Sequence, residues 1–167
     1  MAIAFQKIAI TLTSIVIACV SALTHAKLQA CGEGDLWVSK KNVGKAQYFA
    51  EDCKVSWQNQ AIEMQFSYTE NIPEWAFKRA AHYLLNRNVS QVNTVKSLSK
   101  ITENYQAVKS GDVYRLSYQP QSQALQLYLN GQNVAVLKHP NAVQYFSIWL
   151  GEKPFNATLK QQLLNTR

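Results

Sequence analysis

Two seven-residue segments restrict the fold more than anything else in the chain. In "IEMQFSY" (62–68), Ile62, Met64, Phe66 and Tyr68 fall on one side of an extended strand, and Glu63, Gln65 and Ser67 on the other. In "VYRLSYQ" (113–119), Tyr114, Leu116 and Tyr118 alternate with Val113, Arg115 and Ser117. A period of two is the mark of a strand with one face on a core and one face in water. A third segment, "ALQLYLNGQNVAVLKH" (124–139), alternates at Leu125, Leu127 and Leu129 up to Asn130-Gly131. That dipeptide accepts the positive φ of a tight hairpin, and it predicts a return strand from about Asn133 to Lys138. One-sided strands joined by a tight turn point to an antiparallel sheet.

Helical periodicity separates the strands. After Pro73, Phe77, Ala80, Ala81, Leu84 and Leu85 form one stripe at helical spacing, with Arg87 at its edge. A second helix is predicted over Gln91–Val108, ended by Gly111, and a third over Ala142–Leu150, stopped by Gly151. Asn156 is placed to cap a last helix with Leu159, Leu163 and Leu164 inward. Residues 36–58 read as strand, with a register obscured by Gly44 and scattered polar residues. Strands and helices therefore come in blocks, which predicts an α+β fold, an antiparallel sheet with helices packed on one face.

The first 26 residues stand apart. Lys7 is their only Lys, Arg, Asp or Glu; an apolar run spans Ile8 to Leu23; Thr24-His25-Ala26 follows. This is the plan of a secretory signal peptide cut after Ala26, leaving one domain over 27–167. The run is short for a membrane span. "VIAC" (16–19) also has the shape of a lipobox, so a lipid anchor at Cys19 is the alternative processing route. Cutting at Ala26 leaves Cys31 and Cys53, and an even pair in an oxidising compartment is expected to form a disulfide. The expected location is the periplasm or the exterior of a bacterial cell.

Composition narrows the function. Removing Lys7 leaves 16 basic residues against 10 acidic ones, a net charge of +6. The cations are scattered, with no run of five, so a nucleic-acid partner is not expected. Unspecific affinity for anionic envelope components is compatible with that charge. No phosphate-binding glycine loop and no metal-ligand spacing is present, and no cofactor is expected. His82 and His139 lie in different elements with no acidic partner evident from the sequence, so neither is read as a general base. Tyr68, Tyr114 and Tyr118 fall on the helix-facing side of the sheet. With Arg87 they are the candidate holders of a ligand's polar head, although a phenol at such a boundary is ordinarily a core residue.

Five segments carry a resemblance: "NVGKAQ" (42–47), "MQFSYTENIP" (64–73), "VKSGDVYRLSYQP" (108–120), "LYLNGQNVAVL" (127–137) and "YFSIWLGEKPFNATLKQQLL" (145–164). In this order they resemble the bacterial, secreted branch of the chalcone isomerase-like family. The resemblance implies an open-faced β-sandwich with a ligand cleft between sheet and helices. It also implies either isomerisation of chalcones or, in related plant members, fatty-acid binding. The catalytic constellation of an isomerase is not placed on any residue here. The spacing from Asn42-Val43-Gly44 to Met64–Tyr68 is shorter than the family pattern, which bears on the first edge of the sheet. The expected function is non-catalytic binding of a small apolar or amphipathic, fatty-acid-like ligand. The alternatives are an intramolecular lyase or isomerase, and a protein-interaction module.

Overall fold

The computed structural model describes residues 27–165. The proposed signal peptide and the Cys19 lipidation site lie outside them. Six strands form a single antiparallel sheet in sequence order: β1 (Gln29–Val38), β2 (Lys41–Ala50), β3 (Ile62–Tyr68), β4 (Val113–Gln119), β5 (Ala124–Leu129) and β6 (Gln132–Lys138). Every neighbouring pair is antiparallel. The helices are α1 (Glu74–Asn88), α2 (Val92–Thr102), α3 (Ser147–Leu150) and α4 (Ala157–Leu163).

The two segments with the strictest alternation become adjacent central strands. Met64 pairs with Leu116 and Phe66 with Tyr114, so the apolar sides of β3 and β4 coincide. Ile62, Met64, Phe66, Tyr114, Leu116, Leu125 and Leu127 are all buried. Their alternates Glu63, Gln65 and Ser67 stay half-buried on the opposite face. There Arg115 stacks over the Tyr128 ring at 4.1 Å and lies 3.4 Å from the Glu63 carboxylate.

The region whose register the sequence obscured resolves into a hairpin. β1 and β2 are ten residues each and paired along their length, with bulges at Ala30/Gly32 and Leu36/Trp37. The first edge of the sheet is therefore fully built. Cys31 on β1 and Cys53 beyond β2 are joined in a disulfide, with Cα atoms 5.3 Å apart. Closing that loop contributes about 3 kcal/mol in the chain-entropy account. Gln60, itself buried, organises the stretch between β2 and β3. Its Nε2 donates to the carbonyls of Asp52 and Val55, both at 2.8 Å, and its Oε1 accepts from the Asp52 amide at 2.8 Å.

Two helices differ from the sequence-based expectation. α2 ends at Thr102 rather than Val108, because Asn104 turns back to donate to the Lys100 carbonyl at 2.7 Å. Val108 instead makes an isolated bridge with Ile72, both hydrogen bonds being 3.0 Å. Residues 142–150 begin as a 3-10 helix, Ala142–Phe146, and become α-helical only in the single turn of α3. Asn156 caps α4 as expected, its Oδ1 accepting from the Leu159 amide at 2.9 Å.

Candidate functional site

An apolar cavity of about 250 Å³ lies between the first three strands and the helices. Its floor is Leu36, Val43, Phe66 and Tyr68 of the sheet. Its cover is the α1 stripe, Ala76, Phe77, Ala80, Ala81 and Leu84. Ile148 and Trp149 of α3, with Phe155, close one side; Ile72 and Tyr105 complete the lining. The Phe66 and Trp149 rings are 4.8 Å apart, which ties α3 to the sheet at the cavity wall.

Behind one end stands an aromatic cluster. Phe77 stacks on Tyr105 at 5.5 Å and meets Tyr68 and Tyr114 edge-on at 5.5 and 5.6 Å. Such edge-on pairs stabilise beyond simple burial and hold the rings in place. The phenols differ in what they do with their hydroxyls. Tyr114 accepts from the Gln106 amide at 2.7 Å and donates to the Gln106 carbonyl at 3.0 Å, so the backbone satisfies it. Tyr145 is bonded to Thr102 at 2.9 Å. Tyr68 lines the cavity, and burial, followed by the neighbouring Tyr114, pushes its phenol far above the ordinary range. Burial does the same to Tyr105. Both are therefore neutral donors at physiological pH and poor bases.

No Asp, Glu, His, Lys or Arg is among the residues lining this cavity. It can exclude water from an alkyl or aryl group and offer a neutral hydroxyl. It has no side chain suited to proton abstraction.

A second, larger cleft of about 340 Å³ is polar. Arg87, Asn88, Gln91, Gln144, Ser147 and Lys153 line it. Arg87 and Asn88 already have structural tasks, whereas the buried Ser147 hydroxyl has no hydrogen-bond partner among the described residues. The Arg87 Nη2 donates to the carbonyls of Lys153 and Pro154, and its Nε to Lys153 at 3.1 Å. Asn88 donates to the Lys153 carbonyl at 2.8 Å and accepts from the Lys153 amide at 3.0 Å. Arg87 also sits in the last turn of α1, where a cation offsets the helix dipole. This cleft is the seam where α1 clamps the segment after α3. Gly151 permits that approach: a Cβ there would lie 2.7 Å from Asn88 Oδ1 and 2.9 Å from Ser147 Cβ.

His82 differs from the sequence reading, for it does have an acidic partner. Its Nε2 lies 2.8 Å from Glu103, with Ser99 Oγ 3.4 Å from its Nδ1. Lys78 also approaches Glu103, at 3.9 Å. The three groups bridge α1 and α2 and line neither cavity. The Ser99 Oγ–His82 Nδ1 distance of 3.4 Å is long for a nucleophile–base hydrogen bond, and the group ties α1 to the end of α2. Among the described residues no cluster of His, Cys, Asp and Glu could hold a metal ion. None of their helices is long and apolar enough to cross a membrane.

A family model described as chalcone isomerase-like matches residues 36–165. The chain belongs to the chalcone isomerase-like family. A fatty-acid binding protein of Arabidopsis thaliana has a similar structure, with a TM-score of 0.61 and 12% sequence identity. The match covers 87% of this chain and 90% of that one. At that identity the likeness is one of fold. A search of the curated proteins by sequence found no match.

In this chalcone isomerase-like protein the four residues singled out from the sequence part company. Tyr68 lines the apolar cavity. Tyr114 stands 6.2 Å behind it, ring to ring. Tyr118 pairs with Ile62 and Leu125 at the far end of the sheet and lines neither cavity. Arg87 belongs to the polar seam. Of the residues lining the apolar cavity, sequence reasoning assigned only Tyr68 to a site; the rest, Leu36, Val43, Ile72, Tyr105, Trp149 and Phe155 among them, it did not. They come from β1, β2, α3 and the stretches after β3, α2 and α3, and no local motif records that these meet.

Proposed function

We propose that this chalcone isomerase-like protein is a non-catalytic carrier for a small apolar or amphipathic ligand of the fatty-acid class. It works outside the cytoplasm, in the periplasm or secreted. The cavity between sheet and helices supports this reading most directly, because it is apolar, has no base among its lining residues, and has Tyr68 in its wall. At about 250 Å³ it holds on the order of eight water-sized groups. That favours a medium-length acyl chain over a long one, with the Tyr68 hydroxyl donating to a carboxylate or carbonyl. The fatty-acid binding protein of similar fold adds support for the ligand class. The Cys31–Cys53 disulfide and the leader-like first 26 residues fit an oxidising compartment.

The test begins with mass spectrometry of ligand retained by natively extracted protein, followed by titration with a fluorescent medium-chain fatty acid. Ala80 is exposed yet lines the cavity, so Ala80→Trp obstructs it with little effect on folding. This variant is expected to weaken binding at least ~10-fold with an unchanged melting temperature. Tyr68→Phe is expected to weaken it by about 5- to 10-fold, the worth of one hydrogen bond near 1 kcal/mol. A chalcone substrate is expected to cyclise at its rate in buffer. Absence of any retained or titratable ligand would refute the carrier reading, as would equal affinity in Ala80→Trp. A chalcone rate ~10³-fold above buffer would replace it with an isomerase.

A further inference from the structure

The cavity has a mouth, and the mouth has its own chemistry. Two of the lining residues are exposed to water, Val38 at 50% and Ala80. The opening therefore lies where the β1–β2 turn meets the first half of α1. A large apolar side chain stands out beside it: Trp75, the neighbour of Ala76, is 64% exposed.

The charges around this rim are not balanced. Lys40 lies on the turn, Lys41 opens β2, and Arg79 lies on α1. The nearby Glu70 is already paired with Lys41 at 2.8 Å. Lys40 and Arg79 have no carboxylate partner among the described residues. The face around the mouth thus combines exposed tryptophan with unpaired cations. Tryptophan settles at the headgroup level of a bilayer, and cations are drawn to anionic headgroups.

We infer that this face docks transiently on an anionic lipid surface, so that the apolar ligand passes between bilayer and cavity without crossing water. The inference rests on the carrier reading for its purpose. Its physical basis, a basic and aromatic rim, stands without it. Docking through so few groups is weak and sensitive to salt.

The experiment uses disulfide-bonded protein beginning at Lys27, so that the apolar Ile8–Leu23 run does not contribute. Binding is followed with vesicles of phosphatidylglycerol and phosphatidylcholine carrying brominated acyl chains, against phosphatidylcholine alone. Binding is expected to be at least ~10-fold stronger on the anionic vesicles and to fade above about 0.5 M salt. Bromine quenching of tryptophan fluorescence is expected to fall sharply in Trp75→Ala. The Lys40→Glu, Arg79→Glu double variant is expected to lose at least ~10-fold in vesicle affinity. Neither variant touches a cavity-lining residue, so both keep the affinity for the soluble fluorescent fatty acid. Three results would overturn the inference: no vesicle binding, equal binding to neutral and anionic vesicles, or variants that bind as the parent does. If vesicles bind as expected while no fatty acid does, the docking surface stands and the carrier reading falls.

Discussion

Above pH 10 the protein is expected to lose its fold within one to two pH units, with tyrosine ionisation and unfolding occurring together. Tyr48, Tyr68, Tyr105 and Tyr145 are all at most 8% exposed. Burial pushes the Tyr48 phenol up to about 12, and pushes Tyr68, Tyr105 and Tyr145 well above the ordinary value. Each stays neutral in the native state while its counterpart in the unfolded chain ionises near pH 10. The unfolded state then binds fewer protons, so stability falls as pH rises. Below pH 10 the four phenols contribute nothing to the pH dependence. At pH 11 each withdraws about 1.4 kcal/mol, and the four together about 5.6 kcal/mol, comparable with the whole stability of a modest domain. Absorbance of phenolate near 295 nm and near-ultraviolet circular dichroism, recorded from pH 8 to 12, should change at one midpoint with a steep slope. Gradual ionisation centred on pH 10 with the dichroism intact would show the rings to be accessible and the account wrong. Tyr48 supplies a control, because its hydroxyl is buried with no hydrogen-bond partner. Tyr48→Phe removes that unsatisfied group and is expected to raise stability at pH 7 by about 1 kcal/mol, while making the alkaline transition shallower by one proton.

The same tyrosines show how far the sequence could be read. Alternation in "IEMQFSY" and "VYRLSYQ" assigns Tyr68, Tyr114 and Tyr118 to the helix-facing side, and all three are buried there. Periodicity fixes a face, however, and says nothing about position along the strand relative to the helices. Tyr68 ends β3 beside α1 and reaches the cavity; Tyr118 lies near the other end of the sheet, opposite Ile62, and does not. Arg87 is a similar case. Its place at the edge of the α1 stripe is visible in the sequence, but its partners are backbone carbonyls 66 and 67 residues away. A carbonyl leaves no trace in residue identity, so the cation looked available for a ligand. The 3-10 start of residues 142–150 was illegible for a related reason. Apolar spacing over so short a stretch suits either helix, and packing of Tyr145 and Phe146 decides. His82 on α1 and Glu103, just past the end of α2, are 21 residues apart, and only the packing of α1 on α2 makes them a pair.

Gly44 illustrates the remaining gap, and it carries the largest single-residue effect expected outside the tyrosines. In the sequence it blurred the register of residues 36–58. In the structure it is what allows β2 to pair with β3. It sits opposite Tyr68 with φ at 150°, its amide donating to Asn42 Oδ1 at 2.9 Å. A Cβ at this position would strike the carbonyl oxygen of Ser67 and lie 3.0 Å from Tyr68 Cα. Both contacts are backbone in the neighbouring strand, so no side chain can turn aside. Gly44→Ala must therefore either hold alanine in a conformation essentially confined to glycine or part the two strands beside Val43 and Tyr68, which floor the cavity. The expected loss is more than about 4 kcal/mol, among the largest for a single substitution. Gly131 provides the comparison. It also has positive φ, 81°, but nothing lies within 4 Å of its added Cβ. Gly131→Ala should lose only the conformational term, about 1 kcal/mol. Guanidinium unfolding should show a large fall in midpoint for Gly44→Ala and a small one for Gly131→Ala, at similar slopes. If both variants lose the same amount, the strand clash adds nothing to backbone strain, and the close approach of β2 to β3 is not what demands glycine at position 44.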